Sequence, residues 1–189
     1  MKGSEGVQTP TRAEPTEAES TLRNGFIDAM STNATAVTVV TTDGPAGRKG
    51  VTVSAFASVS ADPPTVLVCT RRGSPARDAI LQNQVFAVNV LHENQAEVSD
   101  TFSGRGGLRF DFSAHPWRDG SAGLPVSPDA VAVFECAVAA AYESGSHTVI
   151  LGQVREVHQG GGQPLLYCQR RYARLAEKVQ QHILERAGA

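Results

Sequence analysis

The sequence predicts a mainly β protein, an antiparallel barrel with a few peripheral helices. Three observations lead there. Short runs rich in Val, Thr, Ile and Ala recur along the chain, and turn residues separate them in pairs. Alternation with a period of two is clear over residues 49–60. Helical periodicity is confined to short stretches. Consecutive hairpins with few intervening helices suit an antiparallel barrel, not a parallel sheet with crossover helices.

Residues 1–20 are polar and rich in Glu, Thr, Ser and Pro, which predicts a disordered tail without the apolar core of a secretory leader. A short helix is expected at 21–30, capped by Ser20 or Thr21, with Leu22, Phe26 and Ala29 on one face. Residues 35–42 read as a strand, and Asp43-Gly44-Pro45-Ala46-Gly47 as a hairpin turn into one continuous arm at 49–60. Asp62-Pro63-Pro64 ends that arm. A strand is expected at 65–70. A helix follows at 74–82, with Ser74 as N-cap and Pro75 in its first position. Further strands are expected at 85–91, 130–142, 147–157 and 164–168, and helices at 93–101 and 176–186. The domain reading is a tail at 1–20, a barrel domain at 21–175 and a C-terminal helix at 176–189.

Composition narrows the function classes. The chain has 189 residues, 41% of them hydrophobic, with a formal net charge of −2. That balance supplies no basic face for nucleic acid. No apolar run approaches the roughly 20 residues that span a bilayer. The three cysteines, Cys69, Cys136 and Cys168, are odd in number and have no CxxC spacing, so neither a disulfide framework nor a zinc site is expected. A reducing cytoplasm is the expected home. Cys69 and Cys136 fall in apolar runs and read as small buried hydrophobes.

Familiar chemical signatures are missing. There is no GxGxxG between a strand and a helix, and no GxxxxGK[ST]. The five histidines show no metal-ligand spacing, so no metal is expected. GxSxG is absent. The Ser146-His147 neighbours are expected to point to opposite faces of a strand.

The block 48–77 (RKGVTVSAFASVSADPPTVLVCTRRGSPAR) is the most informative stretch. Thr52, Ser54, Ser58 and Ser60 line up hydroxyls along one face of the arm. Cys69-Thr70-Arg71-Arg72 brings cationic donors to a strand end, and Arg77 adds a further cation. Ser74 opens a helix, where free N–H groups and the helix dipole favour a phosphate. The same residues also describe an ordinary Ser/Thr-decorated surface strand followed by a routine cap.

This block, with FIDAMSTNATAVTVV at 26–40, VFAVNVL at 85–91, FSG at 102–104, GSH at 145–147 and PLLYCQRRY at 164–172, resembles the flavin reductase-like family of split β-barrels. The similarity extends over about residues 21–175. It implies a Greek-key split barrel of the FMN-binding type, usually paired as a homodimer with the flavin near the interface. It implies reduction of FMN or FAD by NADH or NADPH, with reduced flavin passing to a flavin-dependent monooxygenase. A non-catalytic flavin carrier and a flavin-dependent oxidase of a small substrate are the alternatives.

The resemblance also implies residue roles. The strand Arg48, Lys49, Gly50, Val51, Thr52, Ser54 and Ala55 lines the flavin ring, with Asn33, Thr35 and Ala36 close to it. Cys69, Thr70 and Arg71 run along the ribityl chain, and Ser74 and Pro75 handle phosphate. Thr101 and Phe102 lie near the flavin tail. There the family carries a basic residue where this chain has Thr101, and Arg105 is the candidate substitute. His147 sits by the nicotinamide as the catalytic histidine, with Arg171 and Tyr172 helping to hold that cofactor. Arg170 and Arg174 beside them also read as a solvated cationic cluster.

Overall fold

A computed structural model describes residues 15–104 and 110–176 of the chain. The expected C-terminal helix and Arg105 lie outside the described residues. The chain divides into two compact units, residues 1–33 and 34–189.

The first unit holds helix α1, Glu17–Ser31. It begins four residues before the expected start, so part of the predicted tail is helical. The cause is a capping box. Thr16 Oγ1 accepts from the Glu19 backbone N–H, and the Glu19 carboxylate accepts from the Thr16 N–H at 2.8 Å. Ser20 and Thr21 sit inside the helix and cap nothing.

The second unit is built on a seven-stranded antiparallel sheet. Its strands are β2 (Thr38–Thr42), β3 (Lys49–Val53), β4 (Phe56–Ala61), β5 (Pro64–Arg71), β6 (Val85–Val90), β9 (Ala132–Ser144) and β10 (His147–Gln159). Their spatial order is β3-β2-β6-β9-β10-β5-β4. β1 (Thr35–Ala36), β11 (Leu166–Cys168) and β12 (Arg171–Ala173) form a small second sheet, and β7 (Arg118–Asp119) pairs with β8 (Pro125–Val126). The expected strand at 35–42 divides at Val37, whose N–H donates to the Leu165 carbonyl instead of to the large sheet.

The expected arm at 49–60 also divides, and this division makes the barrel. β3 and β4 are consecutive in the chain, yet they occupy opposite edges of the sheet. Only Ser54 and Ala55 join them. The Phe56 N–H donates back to the Ser54 carbonyl at 3.1 Å, a tight kink, and the Ala55 carbonyl accepts from the Cys69 N–H at 3.0 Å. A two-residue joint between opposite edges forces the sheet to curl until those edges meet. The product is the split barrel, closed by a joint and not by a ladder. Thr52 and Ser54 therefore stay at the joint, while Ser58 and Ser60 travel out along β4. Ser60 Oγ is spent on the Asp62 carbonyl.

Helix α2 (Pro75–Asn83) fills the inside of the curl. Its Ile80 packs with Val40, Val68, Phe86 and Ile150, all fully buried. Each such side chain contributes about 1.5–3 kcal/mol by leaving water. Helix α3 (Ala96–Ser103) buries Phe102 against Phe112 and Trp117, with ring centroids 4.9 and 5.4 Å away. A Cβ on Gly50 would lie 2.8 Å from the Phe102 ring, so that position admits no side chain. β9 and β10 form a long hairpin turning at Gly145-Ser146, with Gly145 at φ +54°.

Candidate functional site

Beside the joint, between the end of β3 and the end of β5, a cleft of about 810 Å³ opens. Thr52, Ser54 and Ala55 from the joint form one wall. Cys69, Thr70 and Arg71, ending β5, form the adjoining wall, with Ser74 and Pro75 beyond them. Phe102 at the end of α3 and His147 at the start of β10 close the remaining sides. β3 is an edge strand paired on one side only, with β2, which leaves backbone groups available at the cleft. The Thr52 hydroxyl is not among the free groups, because it donates to the Ser99 carbonyl at 2.7 Å and ties β3 to α3.

Three features at this cleft point to an anionic, polar ligand. Ser74 is the N-cap of α2, yet its side chain makes no capping bond, so the first-turn N–H groups of that helix carry no side-chain acceptor. Thr70 is 1% exposed, and its hydroxyl is buried without a hydrogen-bond partner. An orphaned hydroxyl of this kind costs about 1–3 kcal/mol unless something bonds it. The other such atom among the described residues, Trp117 Nε1, does not line the cleft. Arg71 is exposed, and no salt bridge engages it among the described residues. It faces His147 in the β5–β10 register. A phosphate ester with a polyol chain matches this set: anion-binding N–H groups and a cation at one end, a lone hydroxyl along the wall.

Of the expected site residues, the cleft brings together Val51, Thr52, Ser54, Ala55, Cys69, Thr70, Arg71, Ser74, Pro75, Phe102 and His147. The others lie elsewhere. Thr35 and Ala36 are spent in the small sheet, opposite Tyr167 and Leu166. Arg48 pairs with Asp43 at 2.7 Å and Asp119 at 3.1 Å, and its guanidinium lies over the Phe112 ring. Lys49 opposes Thr42 at the far end of β3, and Gly50 backs onto Phe102. The Thr101 hydroxyl donates to the Glu97 carbonyl and lies 3.0 Å from His115 Nε2, turned from the cleft. Asn33 belongs to the first unit. Arg171 is exposed and donates to Gln169 Oε1. Arg77 is not a free cation either, since Asp78 and Glu143 both pair with it.

Tyr172 lines a smaller neighbouring cavity of about 160 Å³, which shares Thr52, Val53, Ser54 and Ser103 with the main cleft. Its hydroxyl donates to Asp100 Oδ1 at 2.6 Å. Ser103, Gly104 and Phe110 also line the main cleft and were not expected. Gly104 is the one with a signal, a left-handed residue at φ +75° that ends α3 and turns the chain back. Ser146 Oγ lies 2.9 Å from His147 Nδ1. Ser146 belongs to the turn, not to the strand, so the strand rule of opposite faces does not govern it. Burial pushes the Cys69 thiol above its ordinary range, and pushes buried Cys136 up to about 12.

A second polar cluster lies on β9 and β10. Glu135 is 1% exposed. It accepts from Ser121 N–H at 3.2 Å, Ser121 Oγ at 2.9 Å and Ala122 N–H at 3.4 Å, and lies 2.8 Å from His158 Nε2. Glu156 lies 3.4 Å from the same His158 nitrogen. The histidines show no metal-ligand spacing in the sequence, yet antiparallel pairing brings Glu135 of β9 to His158, while Glu156 precedes His158 by two residues on β10 itself. Burial pushes the Glu135 carboxyl up, but the bonds from His158, Ser121 and Ala122 outweigh it and hold the group below its ordinary range.

Comparisons with known proteins agree with this geometry. Residues 30–176 match the model of the flavin reductase like domain. The chain is 38% identical over 167 residues to FMN reductase (NADH) RutF of Ancylobacter novellus, covering 88% of this chain and 92% of that one. Its fold superposes on the NADH:FAD oxidoreductase SgcE6 of Streptomyces globisporus, solved with NAD and FAD fragments, at a TM-score of 0.78 and 30% identity, over 88% of this chain and 99% of the other. It is similarly close to the styrene monooxygenase flavin reductase of Pseudomonas putida, at a TM-score of 0.73 and 31% identity, over 82% and 99%.

Proposed function

The chain belongs to the flavin reductase-like family, and from that premise we propose that it is an NAD(P)H:flavin oxidoreductase. It reduces FMN or FAD and supplies the reduced flavin to a separate flavin-dependent monooxygenase. One observation carries the reading: the orphaned Thr70 hydroxyl, the uncapped start of α2 and an Arg71 that forms no salt bridge among the described residues share one cleft with the open edge of β3.

When bound, the flavin accepts hydride from the nicotinamide; the protein's part is binding and orientation. The first-turn N–H groups of α2, Ser74 and Arg71 hold the phosphate. The Thr70 hydroxyl bonds the polyol chain. Backbone groups of Thr52 to Ala55 face the polar edge of the ring and favour negative charge there. Thr52, locked to Ser99, keeps that wall fixed. His147, held beside Ser146 at the mouth and opposite Arg71, orients the nicotinamide. The Tyr172 cavity gives that cofactor an aromatic neighbour.

The working unit in this reading is a homodimer in the cytoplasm. Apolar side chains form two cross-strand rows, Ala57–Leu67–Leu151–Ala140 over four strands and Cys69–Val149–Tyr142 over three. Tyr142 is 60% exposed and Val59 beside them 50%. A second copy covers this face, which reaches the cleft at Cys69. Sedimentation at the monomer mass would rule that out. Among the described residues no helix is long and apolar enough to cross a membrane, and Cys69 and Cys136 are free thiols.

The direct test is NADH and NADPH oxidation with added FMN or FAD. Flavin-dependent turnover is expected, and its absence overturns the reading. His147→Ala should lower kcat/KM for the nicotinamide about tenfold, a loss of about 1.4 kcal/mol in transition-state stabilisation. Full activity in that variant removes the role given to His147.

A further inference from the structure

Beside the start of α2 lies a charged network whose side chains do not line the main cleft. Arg72 follows β5, Arg77 is the third residue of α2, and Glu143 is the last but one of β9. Arg72 Nε lies 2.7 Å from Glu143 Oε2, and Arg77 Nη2 pairs with Glu143 Oε1. Thr148 Oγ1 donates to Glu143 Oε1 at 3.1 Å and accepts from Arg77 Nε at 3.0 Å. Arg72 also holds the hairpin tip, its N–H on the Ser146 carbonyl at 3.0 Å and Nη1 on the Gly145 carbonyl at 3.2 Å. One carboxylate thus occupies two guanidiniums that flank Gly73, Ser74 and Pro75.

We propose that Glu143 sets how long a flavin phosphate stays on the protein. By engaging Arg72 and Arg77 it leaves the phosphate with Arg71 and the start of α2 alone. The inference rests on the reading that the phosphate lies at the start of α2.

The physical argument concerns uniform binding. The helix start supplies about half an elementary positive charge, and Arg71 supplies one more. Removing the Glu143 charge frees Arg72 and leaves Arg77 with Asp78 alone, which raises the positive potential beside a phosphate dianion. Such attraction acts equally on oxidised flavin, reduced flavin and the transition state between them, because the phosphate does not take part in hydride transfer. It therefore cannot accelerate the chemical step; it only delays departure of the product. An enzyme that exports reduced flavin gains by keeping this attraction small. Glu143 does so without removing the arginines, which fasten the α2 turn and the His147 hairpin.

The test compares FMN with riboflavin, which lacks the phosphate, by fluorescence titration of the full chain. In Glu143→Gln, FMN should bind about fivefold more tightly and riboflavin as before, and the gain should shrink in high salt. Arg72→Gln strips a cation from the same carboxylate and should move FMN the opposite way, again without riboflavin. This second variant decides the matter if the first fails to fold. Unchanged FMN affinity in either folded variant, or an equal shift for both flavins, overturns the proposal. If the unaltered protein binds FMN and riboflavin equally, the phosphate site itself is wrong and the proposal falls with it. If it prefers FMN and the variants leave that preference intact, only the role of Glu143 is lost.

Discussion

Glu135 and Thr70 are both buried polar side chains of the same sheet, and their surroundings are opposite. Glu135 has donors on both oxygens, from Ser121, Ala122 and His158. Thr70, two strands away across β10, has none. A satisfied buried charge belongs to the architecture, since every group it needs is already in the chain. An unsatisfied hydroxyl in a cleft wall is a cost the fold carries until a ligand arrives. The contrast separates structure from function without reference to any relative.

The largest expected effect breaks the satisfied side. Glu135→Ala strands the Ser121 and Ala122 donors and leaves His158 with Glu156 alone, and should cost about 3 kcal/mol in denaturant unfolding, while FMN affinity stays the same. A series of such melts over pH sharpens the point. The Glu135 carboxyl lies below its ordinary value of 4.5 in the folded chain, so its contribution is complete above that pH and is lost as pH falls below it. The variant should show a shallower acid limb. An unchanged limb would mean that the cluster carries no stability.

The smaller effect tests the other side and has a mixed sign. Thr70→Val keeps the shape and removes the orphaned hydroxyl. The ligand-free protein should be as stable as before, or more stable by up to about 1 kcal/mol. FMN should bind up to about tenfold more weakly, by about 1.4 kcal/mol. Loss of stability with no loss of affinity would show that Thr70 is an architectural residue after all.

How much of this was legible follows the range of the interactions. Local chemistry was readable. Ser74 and Pro75 start α2 where expected, Asp43 to Gly47 turn the first hairpin, and Gly145-Ser146 turn the long one. The Thr16–Glu19 box was equally local and was hidden only by the polar tail around it. The break at Ser54–Ala55 had no local mark, neither proline nor glycine. It arises because β4 finds its partner in β5, across the barrel from β3. Arg48 looked like a ligand contact because of the block it sits in, but two carboxylates claim it. The missing partner of Thr70 is a property of the packed sheet, and no pattern of residue types encodes an absence.

The two-residue joint has a mechanical consequence. The margins of the curled sheet are joined by one two-residue span and not paired along their length, so the local bonds of Ser54 and Ala55 carry the closure. The wall proposed to bind the flavin ring is that same span. In the proposed reading, a ligand seated between the open edge of β3 and the end of β5 acts as a staple beside that span, so its occupancy and the rigidity of the shell are coupled through two amino acids.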